Sequence, residues 1–160
     1  MMPGVSVRQA TAGDDLDVVS VKRAAIRDGT GDAYAAEQVA AWAPADEERE
    51  DYAAAVESDR YMVLVAERGE DVVGFGVLNV EDGSLLALYI EPARRGTGIG
   101  STLLGHIETS ASMYGADSLD LLASHNAVGF YADQGYDQSA TVERDIDGES
   151  LEFVKMEKAL

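Results

Sequence analysis

The stretch ARRGTGIGSTLLGHIE, Ala93 to Glu108, decides how this chain is read. Gly96, Gly98 and Gly100 alternate where a helix should begin, directly after Arg94 and Arg95. Glycine in a helix interior costs about 0.5–1 kcal/mol relative to alanine, so a cluster of them at a helix start needs a reason. The first turn of a helix leaves about four backbone N–H groups unpaired, and the helix dipole adds about half a positive charge there. That combination makes an anion site. Glycines let an oxyanion reach the backbone, and the adjacent arginines add formal charge. A nucleotide P-loop would end in G-K-[ST], whereas here Ser101 follows Gly100 with no lysine. The dinucleotide fingerprint G-x-G-x-x-G opens an early βαβ unit, with an acid about 20 residues further on. Here the spacing is G-x-G-x-G and the loop lies late in the chain, although Asp117 and Asp120 fall near that distance. A glycine turn without a ligand is the plain alternative.

Working outward, Ser101–Ala116 carries apolar residues at 103, 104, 107 and 111, which is helical spacing, and Gly115 is its stop. Upstream, residues 60–92 hold β-rich apolar runs punctuated at Arg68–Asp71 and Glu81–Gly83, a meander of hairpins. Downstream, Asp117–Ser124 reads as a strand, His125–Gly135 as a short helix, and Tyr136–Leu160 as a hairpin turning at Asp147–Gly148. Before the meander, Val5–Thr11 alternates like a strand. A helix follows, with Asp14 as N-cap and Gly29 as stop. A second helix ends near Pro44, and a third is opened by Asp46 with acids in its first turn. This order predicts an α/β fold with a mixed sheet. The strand–glycine loop–helix–strand portion forms one right-handed parallel crossover.

The chain has 160 residues, which suits one domain spanning residues 1–160, and no cysteine. Cysteine nucleophiles, disulfides and thiolate metal sites are therefore excluded. No apolar run approaches the ~18 residues of a membrane helix and no signal peptide is visible, so a cytoplasmic protein without a membrane partner is expected. Twelve basic residues stand against 30 acidic ones, for a net charge of −18. A nucleic-acid partner is excluded by that balance, and cationic small molecules are attracted. The acidic residues are spread along the chain, as in proteins of salt-accumulating halophiles.

Two motifs resemble the GNAT superfamily of acyl-CoA-dependent N-acetyltransferases. LYIEPARRGTGIGSTLL (Leu88–Leu104) contains R-x-x-G-x-G at Arg95, Gly98 and Gly100, directly after a strand. NAVGFYADQGY (Asn126–Tyr136) matches N-x-x-x-F-Y-x-x-x-G-[FY]. The resemblance implies a mixed, mostly antiparallel sheet of about six or seven strands flanked by helices, split in a V around the glycine-loop crossover. It implies acetyl-CoA as cosubstrate and no metal. The pyrophosphate would sit on the amides of Arg95, Gly96, Thr97, Gly98, Ile99, Gly100 and Ser101. The pantetheine would pair with Leu88, Tyr89 and Ile90 like an added strand, and Asn126 would hydrogen-bond it, helix capping being the alternative role of Asn126. The family often dimerises, which allows a homodimer.

The implied reaction is direct attack of a primary amine, small molecule or peptide, on the thioester. Tyr131 matches the family position that protonates the departing thiolate, and a phenol with pKa ~10 stays protonated at neutral pH. A core aromatic is the alternative for Tyr131, and a non-catalytic acyl-CoA-binding module is the alternative for the whole chain. The base stays open among Glu81, Asp82, Glu91, His125 and water, because Ser84 stands near the family's glutamate position. Tyr34, Gln38 and Trp42 share one helix stripe, either a core seam or a wall of the acceptor pocket. Asp28 and Asp32 are candidates to recognise an ammonium group.

Self-repulsion at this charge destabilises the compact state in dilute buffer, and the screening length falls to ~3 Å at about 1 M salt. The thermal unfolding midpoint is therefore expected to rise as salt is raised from dilute buffer to molar concentration. A midpoint highest in dilute buffer would remove the halophilic reading.

Overall fold

A computed structural model of the chain describes residues 4–43, 48–94 and 96–160. The helix stop at Pro44, the helix opening at Asp46, and Arg95 lie outside the described residues.

One mixed sheet carries the fold. Its strands in chain order are β1 (Val5–Gln9), β2 (Tyr61–Arg68), β3 (Asp71–Asn79), β4 (Ser84–Ile90), β5 (Ser118–Ala123), β6 (Asp137–Ile146) and β7 (Glu149–Ala159). In space they run β1-β2-β3-β4-β5-β7-β6. Every neighbouring pair is antiparallel except β4 with β5, which the glycine-loop crossover makes parallel. The mixed, mostly antiparallel sheet expected from the motifs is thus present, with seven strands.

The helices divide between the two faces. On one side lie α1 (Asp15–Gly29), α2 (Ala36–Trp42) and α3 (Glu48–Glu57). Val18 and Val21 of α1 and Tyr52 of α3 pack on Val63, Val65 and Phe75. Tyr34, just before α2, packs on Leu151 and Phe153 of β7, with Val39 and Trp42 of α2 alongside. On the other side lies α4 (Ile99–Met113), whose Leu103, Leu104, Ile107 and Ala111 are the apolar positions read from the sequence, and all are buried. They meet Leu64, Val73, Leu85, Leu119 and Met156, together with Tyr131 of α5 (Val128–Asp133). Gly76 permits the close approach of α4 to the sheet, since a Cβ there would stand 2.4 Å from Ile107 Cδ1.

Two features of β4 matter for function. Val77 opposes Ala87 and Leu78 opposes Leu85, which leaves Leu86 without a partner on β3. An extra residue of this kind bends the strand and increases its twist. On its other edge β4 pairs with β5 only at Ser84↔Asp120 and Leu85↔Leu121. The ladder stops where the bulge begins, and the sheet splits. Ser84 Oγ donates to Asp120 Oδ1 at 2.6 Å across the closed end.

Some sequence expectations need correction. Asp14 sits at the start of α1, but its side chain makes no cap bond to that helix. It turns back instead, accepting from the Thr11 N–H at 2.8 Å and taking a bidentate pair from Arg8 at 2.8 and 2.9 Å. Arg8 on β1 also reaches Glu67 on β2 at 2.6 Å, so one guanidinium ties two strands to the helix start. Gly29 is the last residue of α1, as the sequence reading placed it, but it is not the left-handed cap. The helix runs through it to a C-cap at Thr30, and the left-handed residue is Gly31 at φ 57°.

The Arg8 guanidinium, aided by the Thr11 N–H, lowers the Asp14 carboxyl from 3.8 to about 2. A carboxylate held below its unfolded value contributes stability above that value and loses it as pH falls through the folded one. Acid titration should therefore remove stability between about pH 4 and pH 2. Asp14→Asn should cost about 1–3 kcal/mol at neutral pH and flatten the midpoint in that acid window. Equal acid slopes for both proteins would refute the assignment.

Candidate active site

The split in the sheet opens into a cleft of about 430 Å³. One wall is Leu88, Tyr89 and Ile90 of β4, on the edge that β5 has left. At one end stand Arg94, Gly96, Gly98, Ile99, Gly100 and Ser101. The opposite wall comes from Ser124, Asn126 and Ala127, in the connection after β5, and from Phe130 and Tyr131 of α5. Ala25 and Ile26 of α1, its C-cap Thr30, and Trp42 of α2 complete the lining.

The glycines of the loop do different jobs. Gly96 and Gly98 have φ of 77° and 83°, a backbone state that side chains resist. A Cβ at either would point into open space, so conformation and not crowding selects glycine there. Gly100 is helical, and its hydrogen faces a ring: a Cβ there would lie 3.2 Å from Phe130 Cζ. That glycine lets α4 and α5 meet. It therefore has a packing role that the sequence reading gave wholly to the anion site.

The first intrahelical bond of α4 runs from the Thr102 N–H to Gly98 O at 3.0 Å. Among the described residues nothing accepts from the N–H groups of Ile99, Gly100 or Ser101. These three residues line the cleft end, and among the described residues no protein acceptor competes for their N–H groups. Ser101 Oγ accepts from Gln134 Nε2 at 3.0 Å, which fixes the turn against the end of α5. Thr97 contributes no side chain to the cleft, because its hydroxyl donates back to Arg94 O. Arg94 lines the cleft with its guanidinium 3.8 Å from Glu91.

Tyr131 is 7% exposed and stands where the walls meet. Its hydroxyl has no hydrogen-bond partner among the described residues, although its ring packs on Phe130 and Tyr136. Burial pushes its phenol above the ordinary range, and the neighbouring Tyr89 adds to this. Burial likewise raises Tyr89, opposed in part by the Trp42 indole. Both phenols are neutral at physiological pH. Tyr131 also belongs to the hydrophobic core, the plain alternative read from the sequence.

Asn126 Nδ2 donates to Gly29 O at 3.4 Å. The turn His125–Ala127 has Ser124 as its N-cap, so helix capping by Asn126 is not what the structure shows. Its amide instead ties the loop to the last turn of α1. The expected stripe of Tyr34, Gln38 and Trp42 is not one helix face, because Tyr34 lies before α2 and only the other two are on it. Tyr34 Oη donates to Glu152 O at 2.6 Å and accepts from the His125 N–H at 3.2 Å. Gln38 Nε2 donates to Ser150 O at 2.8 Å. Only Trp42 reaches the cleft.

None of the four side chains considered as base is among the described residues lining the cleft. Glu81 and Asp82 lie 3.7 and 3.5 Å from Arg60 in the β3–β4 turn. His125 Nε2 is 3.2 Å from Glu152 Oε1. Asp28 and Asp32 are exposed and outside the cleft. Ala25, Ile26, Thr30, Ser124 and Ala127 line it without having been picked as site residues. The α1 residues carry no local signal, since their place follows from how α1 crosses the split.

A family model for the acetyltransferase (GNAT) domain matches residues 30–160. The chain belongs to the GNAT acetyltransferase family. The whole chain superposes with a TM-score of 0.92 on 98% of a protein from Rhodopseudomonas palustris described as a GCN5-related N-acetyltransferase (aminotransferase, class-II), at 31% identity. A PaiA N-acetyltransferase from Thermoplasma acidophilum, solved in complex with coenzyme A, matches at TM-score 0.76 and 22% identity, over 98% of this chain and 99% of that one. An acetyltransferase from Salmonella typhimurium, solved with acetyl-CoA, matches at TM-score 0.72 and 20% identity, over 98% and 94%. These last two show the shared fold. A search of curated protein sequences finds no match. No helix among the described residues of this GNAT protein is long and apolar enough to cross a membrane, and they contain no cluster of metal-ligating side chains.

Proposed function

We propose that this GNAT protein binds acetyl-CoA in the split and transfers its acetyl group to a primary amine. One observation carries the reading: the unpartnered N–H groups at the start of α4 open at one end of a cleft that also contains the Tyr131 hydroxyl. The cleft volume of about 430 Å³ lies in the range of small-ligand sites.

In this reading the N–H groups from Gly98 to Ser101 hold the pyrophosphate, with Arg94 beside them. The free edge of β4 at Leu88, Tyr89 and Ile90 takes the pantetheine amides as a strand would. Asn126 borders the same arm. The thioester supplies an activated acyl group. The amine nitrogen attacks the carbonyl carbon, a C–N bond forms and the C–S bond breaks. A β4 backbone N–H holds the carbonyl oxygen while it is negative. The attacking nitrogen gives up one proton to water, Tyr131 gives its proton to the departing sulfur so that free thiol and amide leave, and the phenolate is then reprotonated from solvent. Its hydroxyl, on a buried ring and without a protein hydrogen-bond partner among the described residues, suits that task.

Two substitutions separate binding from chemistry, with the fluorescence of the sole tryptophan, Trp42, as a reporter of cleft filling. Tyr131→Phe should slow thiol release by about a hundredfold or more while leaving acetyl-CoA affinity nearly unchanged. An unchanged rate would remove Tyr131 from the mechanism. Gly98→Asp forces a side chain into a left-handed state and puts a negative charge at the anion site, so it should abolish acetyl-CoA binding. Normal affinity in that variant would contradict the phosphate role of the loop. Acetyl-CoA binding without turnover on any amine would instead mark a binding module.

A further inference from the structure

Behind the β4 bulge lies a second cavity of about 180 Å³, continuous with the cleft through Trp42, Leu88, Tyr89, Ser124, Ala127 and Tyr131. Resting on the acetyl-transfer reading, we infer that this cavity seats the acceptor, and that the acceptor is an amine carried on an apolar body about the size of one aromatic ring. The argument begins with what lines the cavity. Leu86 of β4 and Leu122 of β5, each next to the last residue pair that joins the two strands, both line it, and Trp42, Tyr89 and Phe153 supply ring walls. Leu86 is 55% exposed and Leu122 36%, in positions where a large apolar side chain gains little unless something covers it.

No Asp, Glu, Lys or Arg is among the described residues that line this cavity. In a chain with 30 acids that is informative. The nearby carboxylates are already engaged: Glu48 with Lys22 at 3.4 Å, Glu152 with His125 at 3.2 Å, and Asp120 with Ser84 at 2.6 Å. The cation Lys155 is the cross-strand partner of Leu122, and directly opposed residues share a sheet face. Among the described residues, an acceptor with a second ammonium group would meet no counter-charge lining this cavity and a lysine beside it.

Size and shape agree. An apolar cavity of about 150 Å³ holds a benzene molecule. Trp42 stands edge-on to Phe153 at 5.3 Å and to Tyr89 at 6.4 Å between centroids, so the walls offer both ring faces and ring edges. The apolar lining also acts on the nucleophile. Desolvation lowers the pKa of an ammonium group, and the neutral amine is the form that attacks.

The test measures acetyl-CoA binding by calorimetry, then thiol release with phenethylamine, butylamine, cadaverine and spermidine. The expected result is a kcat/KM for phenethylamine at least about tenfold above those of cadaverine and spermidine. Leu86→Glu, at an exposed rim position, should lower the phenethylamine-to-cadaverine ratio by about tenfold with acetyl-CoA affinity unchanged. If acetyl-CoA binds and amines are acetylated, but the polyamines are preferred, no amine is preferred, or the Leu86→Glu ratio is unmoved, the acceptor inference is overturned and acetyl transfer stands. If acetyl-CoA does not bind, or no amine turns over, the acetyl-transfer reading fails and takes this inference with it.

Discussion

A sheet that does not close in its middle is the constraint on which the rest of the structure depends. β4 and β5 pair at two positions and then part, with Leu86 bulged out where they separate. Backbone groups on such an edge cost about 1–3 kcal/mol each if they are buried without partners. The opening is stable only where water or a ligand with its own amides reaches that edge. Strong ladders hold it from both sides, since β4 stays paired with β3 as far as Ile90 and β5 stays paired with β7 along its length. The crossover helix α4 spans the two halves on one face, and α1 and α2 cover the other. The Ser84–Asp120 bond marks the point from which the halves diverge.

The parts of this arrangement that were legible in the sequence are those written in local chemistry. Glycines at Gly96 and Gly98 announce left-handed backbone, and the apolar residues at 103, 104, 107 and 111 announce the buried face of α4. Punctuation by Gly69, Gly83 and Gly148 placed the hairpins, and all three have positive φ. The two motifs around Gly98 and Tyr131 placed the crossover and its following helix. Each signal lies within a few residues of what it specifies.

What stayed hidden depends on contacts between distant segments. Nothing near Leu86 marks a bulge, because the bulge exists only in the register between β3 and β4. Asp14 has the local signature of an N-cap, yet a β1 arginine captures its carboxylate. Gly100 looks like the third member of an anion loop until Phe130, thirty positions on, is found against it. Asn126 and Tyr34 likewise bond to backbone about a hundred residues away, at Gly29 and Glu152. For these residues the sequence supplied the chemical group, and tertiary packing chose its partner.

The same separation resolves an apparent conflict over charge. A net charge of −18 suggests an enzyme that collects cations, and at the surface it does attract them. The cavities are different: Arg94 is the only charged side chain among their described lining residues. A carboxylate near the reacting amine would hold it as an ammonium ion, which cannot attack a thioester. In the proposed reaction, a lining without carboxylates among the described residues favours the neutral amine without a dedicated base at Glu81, Asp82, Glu91 or His125. Water at the cleft mouth can then take the proton. The carboxylate-free lining of the described cavities, and not the acidic surface, sets the protonation state of the nucleophile in the proposed reaction.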